Sequence, residues 1–458
     1  GQRVDVRVDL NQAATPTYPV SGHFHNIERS KQVNSTDVDG LRADIAVSTD
    51  GTVHMAWISE ETVSPVTTPV YQVLYARSEN SGVSFSDPQS VSGSLRFDIL
   101  TLSLGGTNAF STVDLEVDSR GNPRVVYAFD FSPDGRTAKF NSTNPDNVFF
   151  NYSENGGASW LPGNNAVVVN DTTTVGNTEG RDTAFPRMAI DQRDNVYITY
   201  VRGVTSAGGT DDIMVAKLDR STSPFSIEAV GSLGTSGSTG GVRISPDAGR
   251  ETGPDIAIGT GDVLHVIYYN DAAGADDIEH KTLLADAYKT LTANGWDQNN
   301  PGKDVDDFDN SVANTALETE ADFYFPTIVV DKQSSPDKVY ALYKFGDGAA
   351  IETIFFNSYT YDNAVGANAR WVVGSAAPVW STATTPLFAD GLNNYNVELE
   401  WTVTERVSAA IDDRLSTRGD VHIVFTAGYS GGGEHDIYYG FYNGQTWSLP
   451  EKVADDDA

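Results

Sequence analysis

One pattern recurs six times along this chain: an apolar strand, a polar turn, then a second apolar strand. The six copies fall at residues 44–57, 114–129, 188–200, 255–269, 327–343 and 408–425. Their turns are Asp50-Gly51, Gly121-Asn122, Asp194-Asn195, Gly261-Asp262, Pro336-Asp337 and Gly419-Asp420. Asx and Gly supply the positive φ that tight hairpins need, and the flanking runs are rich in Val, Ile, Tyr and Phe, as strands are. A third strand follows each pair, at 71–77, 148–152, 213–217, 278–281, 351–357 and 437–442. A fourth follows in most units, at 88–91, 166–169, 226–230 and 447–453. Four antiparallel strands per unit, repeated every ~70–80 residues, predict an all-β chain: a six-bladed β-propeller of four-stranded antiparallel blades. The long segments 92–110 and 372–406 leave room for a seventh blade. Residues 1–38 read as a lead or closing-strand segment and 39–458 as a single propeller domain. The one stretch with a helical look is 281–294, with Ala285, Ala287 and Leu291.

Charge narrows the function classes. Against 30 basic residues stand 63 acidic ones, a net charge of −33. Such a surface repels nucleic-acid phosphates and anionic membranes, and favours cations such as Ca²⁺. There is no cysteine, so disulfides, thiolate metal sites and a cysteine nucleophile are excluded. No run approaches the ~20 apolar residues of a membrane-spanning helix. The chain opens Gly1-Gln2-Arg3-Val4 without Met, which points to a signal already removed and to a secreted or cell-surface protein. Sequons at Asn34, Asn141, Asn151 and Asn170 offer acceptors in a host that glycosylates asparagine.

Two turns between third and fourth strands carry a sharper signature. They are Ser78-Glu79-Asn80-Ser81-Gly82-Val83-Ser84-Phe85 and Ser153-Glu154-Asn155-Gly156-Gly157-Ala158-Ser159-Trp160; Asn443-Gly444-Gln445-Thr446-Trp447 is a shortened third copy. They resemble the Asp-box (BNR) repeat of the sialidase-like superfamily, Ser-x-Asp-x-Gly-x-x-Trp, with Asn in place of Asp. The resemblance covers the chain from about residue 40 onward at the level of the repeat. It implies structural roles for Ser78, Asn80, Gly82, Phe85, Ser153, Asn155, Gly157 and Trp160, on the face opposite a catalytic pocket. Sialidases in that family hold a carboxylate with three arginines and use a Tyr–Glu nucleophile and an aspartic acid. Arg42 and Arg187 stand at the matching strand starts and are the candidate ligand-binding residues. The fourth and fifth units carry Asp255 and Thr327 there instead.

The loops entering three third strands are acidic and place Asp211 and Asp212, Asp276 and Asp277, and Asp436 at equivalent positions. They read as Ca²⁺ ligands or as caps of their own loops. The acidic run Asp304, Asp306, Asp307 and Asp309 lacks the glycine and glutamate of an EF-hand and reads as a solvated loop. His54, His265 and His422 recur at one strand position, which suggests a repeated environment and no shared metal, while His23 and His25 would share one side of a strand. The reading that results is an extracellular, non-catalytic module binding a glycan or a protein. The alternatives are a sialidase-like glycoside hydrolase, or a surface protein that self-associates through residues 1–30.

Overall fold

The computed structural model describes residues 40–61, 70–93 except 81, 112–129, 147–161, 167–170, 182–204, 212–221, 225–227, 241–245, 250–272, 275–284, 303–304, 322–346, 353–361, 377–378, 388–389, 394–396, 407–412, 419–429, 435–448 and 451–454. Among them every regular element is a strand, and no helix is long and apolar enough to cross a membrane. The strands form six antiparallel sheets. Residues 281–284, the start of the helical-looking stretch, close a strand of the fourth sheet. Here β-branched and apolar residues alternating with polar ones outweigh a weak helical spacing.

Each sheet is a meander of four consecutive strands. The first sheet runs Gly40–Val47, Val53–Glu61, Val70–Ser78 and Gln89–Ser90, and the fourth runs Arg250–Gly259, Val263–Ala272, Ala275–Leu284 and Lys303–Asp304. The third adds Val242–Arg243 beside its third strand, Asp212–Asp219. The sixth adds Asn394–Asn396 beside its second strand, so this part of the long 372–406 segment extends an existing sheet. The first strands of successive sheets lie side by side in chain order. Between the sheets sit continuous apolar layers, such as Val126, Phe150, Ile198, Val215, Ile256 and Val266 across the second, third and fourth.

Carboxylates latch sheet to sheet at two levels. At one register along the first strands, Asp44 accepts the Leu115 N–H at 2.6 Å, Asp114 that of Met188 at 2.7 Å and Asp255 that of Ile328 at 2.9 Å. At the hairpin turns the direction reverses. The Ser119 N–H donates forward to Asp194, Gln192 to Asp262 and Thr260 to Asp337. Asp194 (φ 64°) occupies the left-handed position that Gly51 and Gly121 fill in the first two sheets, and in the fourth sheet's shorter turn Asp262 (φ 59°) is left-handed beside Gly261 (φ 74°). Asp tolerates that region better than most residues, and here its side chain has a partner on the neighbouring sheet.

The Ser-x-Asn-x-Gly turns fold as their sequence implies. Ser78 Oγ donates to Asn80 Oδ1 at 2.7 Å, while the Gly82 N–H donates to Ser78 Oγ and the Ser84 N–H to Asn80 Oδ1, both at 2.8 Å. The Ser153, Asn155, Gly157 and Ser159 turn repeats every bond. Asn serves where Asp is expected because its extra N–H₂ finds a hydroxyl, Ser84 in one turn and Ser159 in the other. Trp160 packs edge-on against Tyr75 of the preceding sheet, with ring centroids 4.9 Å apart, and Phe85 is half-buried. Two sequons are structural parts. Asn151 is buried and accepts the Tyr127 hydroxyl at 2.8 Å, and buried Asn170 accepts the Val148 N–H at 2.9 Å, so neither side chain is open to a transferase in the folded protein.

Candidate functional site

The first strands of successive sheets are neighbours, and one residue of each occupies the same register. In chain order these are Asp44, Asp114, Arg187, Asp255, Thr327 and Ser408, opposite Ala56, Val126, Thr199, Ile267, Leu342 and Val424 of the second strands. Local bulges set this register, at Arg42 in the first sheet, Phe185-Pro186 in the third, Gly253-Pro254 in the fourth and Phe325-Pro326 in the fifth. In the third and fourth sheets the bulge needs a positive φ. Gly253 takes it freely at 58°, whereas Phe185 is held at 54°, a conformation that costs a bulky residue about 1–3 kcal/mol.

Arg187 is thus delivered among carboxylates. Its guanidinium pairs with Asp114 at 2.8 Å. Burial works against its charge, but Asp114, Asp255 and Asp44 outweigh it and raise its pKa. The candidate ligand-binding arginine already has its carboxylate. The Arg42 side chain and residues 1–39 lie outside what is described.

The acids here are pushed the other way. Burial, then the like charge of Asp114, lifts Asp44 to about 7, against the pull of Arg187 and of the Leu115 N–H. Two residues further along the second sheet's first strand, Glu116 rises to about 8, through burial and then the charges of Asp114 and Asp44, against Lys332. The direction also follows from its two acidic neighbours alone. At its register the other sheets carry Ala46, Ala189, Ala257, Val329 and Ala410. The result is a single carboxyl on an otherwise small, apolar layer.

The acidic positions at the third-strand starts are the second candidate. Asp212 is buried, and its two oxygens face Arg243 at 2.9 Å and Arg202 at 3.2 Å. Two guanidiniums therefore stand where a calcium ion was expected. Asp276, Asp277 and Asp436 lie within strands, at registers opposite Asp271, Asn270 and Ala427, with their side chains outside the described set, as are Asp211 and residues 305–321. Among the described residues no group of three His, Asp or Glu side chains converges as a metal site. The recurring histidines have local partners. His54 meets the Tyr75 hydroxyl at 2.6 Å, His422 that of Tyr439 at 2.5 Å, and His265 meets His280 at 3.2 Å. Burial lowers the pKa of His54 and takes His265 down to about 3.

Sequence reasoning put Arg187 at a strand start but missed its company. Aligning the six repeats would have found Asp44, Asp114 and Asp255 at the same position.

No known family model matches this chain, and no curated protein matches it in sequence. Among solved structures it is similar to an intramolecular trans-sialidase from Ruminococcus gnavus, at 7% identity over 84% of this chain and 90% of that one, with a TM-score of 0.46. It is similar to a protein of unknown function from Dyadobacter fermentans, at 9% identity over 88% and 94%, with a TM-score of 0.46. A polysaccharide lyase, an ulvan lyase, gives 11% identity over 92% and 88%, with a TM-score of 0.48.

Proposed function

We propose that this chain is a six-bladed β-propeller with Asp-box turns, working outside the cell as a non-catalytic module that binds a glycan or a protein at the loop end of its sheets. Support for the ring comes from the first strands, which lie side by side in chain order from the first sheet to the sixth. The observation that carries the functional reading is the pairing of Arg187 with Asp114. A sialidase needs its arginines free to clamp a substrate carboxylate. Here Arg187 is neutralised from within by Asp114, and the sheets beside it present acids, which would repel an anionic sugar.

A glycoside hydrolase is the second reading, because Asp44 and Glu116 titrate near neutral pH on neighbouring first strands, as a general acid must. One experiment separates the two: incubate the protein with a mixed oligosaccharide library that includes neutral and sialylated chains, then analyse masses and retained species. Selective retention with unchanged masses is the expected result. New, smaller masses would establish hydrolysis and overturn the non-catalytic reading. Neither change nor retention would overturn glycan binding and leave the protein ligand.

A further inference from the structure

Between the third and fourth sheets, at the loop end, lies a buried carboxyl that the Ser245 hydroxyl alone faces as a neutral donor. Glu251 is 0% exposed, and neither Oε1 nor Oε2 has a hydrogen bond of good geometry. Directly opposite it across the strand pair stands Asn270, 3% exposed. Such cross-strand pairs hold their Cβ atoms about 4.5–5.5 Å apart. The Asn270 amide is oriented by its other neighbour. Its Nδ2 donates at 2.8 Å to Glu279 Oε1, which as a carboxylate oxygen only accepts, so Oδ1 is the atom left over, and it too is buried without a partner. Glu279 is held charged. Burial opposes its ionisation, but Lys281, the Tyr268 hydroxyl and Asn270 outweigh that and lower its pKa. Tyr268 donates to it at 2.7 Å and Lys281 pairs with it at 3.1 Å. Three acceptor oxygens of two facing residues, Glu251 Oε1 and Oε2 and Asn270 Oδ1, thus have one hydroxyl hydrogen near them, that of Ser245, and none of the three has a bond of good geometry. A buried carboxylate in that position costs several kcal/mol, whereas a carboxylic acid brings the missing donor itself.

We propose that Glu251 is kept as a neutral acid whose hydroxyl donates to Asn270 Oδ1, completing a chain from Glu251 through Asn270 to Glu279 and Tyr268, and that loss of this proton is an alkaline switch that loosens the loop end of the fourth sheet. The groups facing it from all sides fit. From the third sheet come Asp212, held by Arg202 and Arg243, and from the fourth Glu279 with Lys281. Burial dominates the shift of Glu251, Asp212 and Glu279 add to it, and Ser245 and Arg243 oppose it, with a net rise to about 8. Ionisation would set two acceptor groups against each other in a seam that water does not reach. The neighbours it would disturb are Arg202 and Arg243, whose guanidiniums are partly open to solvent at the loop end.

The test compares melting of the full chain and of Glu251→Gln, whose amide can still donate to Asn270, at about pH 4, below the unfolded pKa, and at about pH 9.5. Equal midpoints at the lower pH are expected, with wild type falling below the variant at the higher pH by about 2 °C or more. Because Asp44 and Glu116 titrate in the same window, the quantity read is the difference between the two proteins. A difference that does not change with pH would overturn the proposal. So would stabilisation of wild type, and not of the variant, by added Ca²⁺ or Na⁺, which would show that a cation fills the place given to the proton. Should Glu251→Gln not fold, infrared spectra of Glu116→Gln protein with isotopically labelled glutamate give the answer. A protonated glutamic-acid band at about pH 6 that is lost by about pH 9.5 supports the proposal, and no such band overturns it.

Discussion

The hairpin turns and the first-strand register of these sheets use the same residue type in opposite electrostatic states. At the turns a carboxylate sits among donors. Asp118 accepts N–H groups from Arg120 at 2.9 Å and Asn122 at 2.8 Å, and pairs with the buried Arg124 at 2.5 Å. Burial resists its charge, but the Asn122 N–H, Arg124 and the Arg120 N–H outweigh it and lower its pKa. Asp50 is lowered to about 2, by the Ser48 hydroxyl and then the Thr52 N–H. At the first-strand register, Asp44 accepts one cross-sheet N–H and faces another acid, so its pKa rises. A carboxylate near several donors is held as an anion; one near another carboxylate is pressed toward neutrality. The two places should therefore fail in opposite directions of pH.

Arg124→Met should give as large a loss as any. Arg124 is fully buried, donates to the Ser153 carbonyl, and lies over Tyr152 and Phe225 at 5.5 and 5.3 Å. Removing it takes from Asp118 its one buried cation and leaves it the half-exposed Arg120, while Glu154 keeps Arg120 and Arg220, a change that costs about 3 kcal/mol. Denaturant midpoints would show it. A loss below about 1 kcal/mol would mean that the backbone donors and Arg120 sustain Asp118.

Next comes a comparison inside the repeated turn. Gly157 (φ 87°) and Gly82 (φ 85°) are equivalent, yet a Cβ on Gly157 would lie 2.2 Å from the Tyr75 hydroxyl oxygen while one on Gly82 meets nothing within 4 Å. Gly82→Ala should cost only the left-handed backbone penalty, about 1 kcal/mol, and Gly157→Ala about 3 kcal/mol. Equal losses would show that Tyr75 yields and that the second turn is not wedged against the first sheet.

Asp44→Asn addresses the first-strand register. A folded-state pKa raised above the unfolded value means that the folded protein binds the proton more tightly. Stability is then full below about pH 4 and is lost as pH rises through about 7. The amide introduced by Asp44→Asn would still accept from the Leu115 N–H but would not titrate. The variant should therefore gain about 1–2 kcal/mol over wild type at about pH 9, after allowance for solvent near the group, and gain little at about pH 4. In acid the turns give way instead, as Asp118 loses stability when it is protonated. Melting curves against pH would show a shallower alkaline limb and an unchanged acid limb.

Much of the scaffold was legible because its signals are local. Alternating apolar runs broken by Asx-Gly turns mark each hairpin, and Ser-x-Asn-x-Gly needs only its own eight residues to close. The site was less legible because its partners come from other sheets. Asp212 reads as a calcium ligand until Arg202 and Arg243 are brought to it, and Arg187 reads as a free clamp until Asp114, 73 residues earlier, claims it. Asn151 reads as a glycan acceptor because its sequon is local, while the Tyr127 hydroxyl that fills it is not. Glu251 gave no signal, since one acid in a Gly- and Pro-containing strand start is ordinary until its burial is known.

The smallest expected effect is the most informative about the latches. Asp194 holds a left-handed φ and in return accepts the Ser119 N–H at 3.0 Å and lies 3.4 Å from Arg120. Asp194→Gly removes the backbone strain and the latch together, terms of about 1 kcal/mol each and of opposite sign, so the midpoint should shift by no more than about 0.5 kcal/mol. Asp194→Ala keeps the strain and loses the latch, and should cost about 2 kcal/mol. If the glycine variant falls as far as the alanine variant, the carboxylate bridge matters more than the turn's own geometry. The turns would then be held, like the first-strand register, chiefly by acids reaching between sheets, and the contrast between the two would lie in their charge state alone.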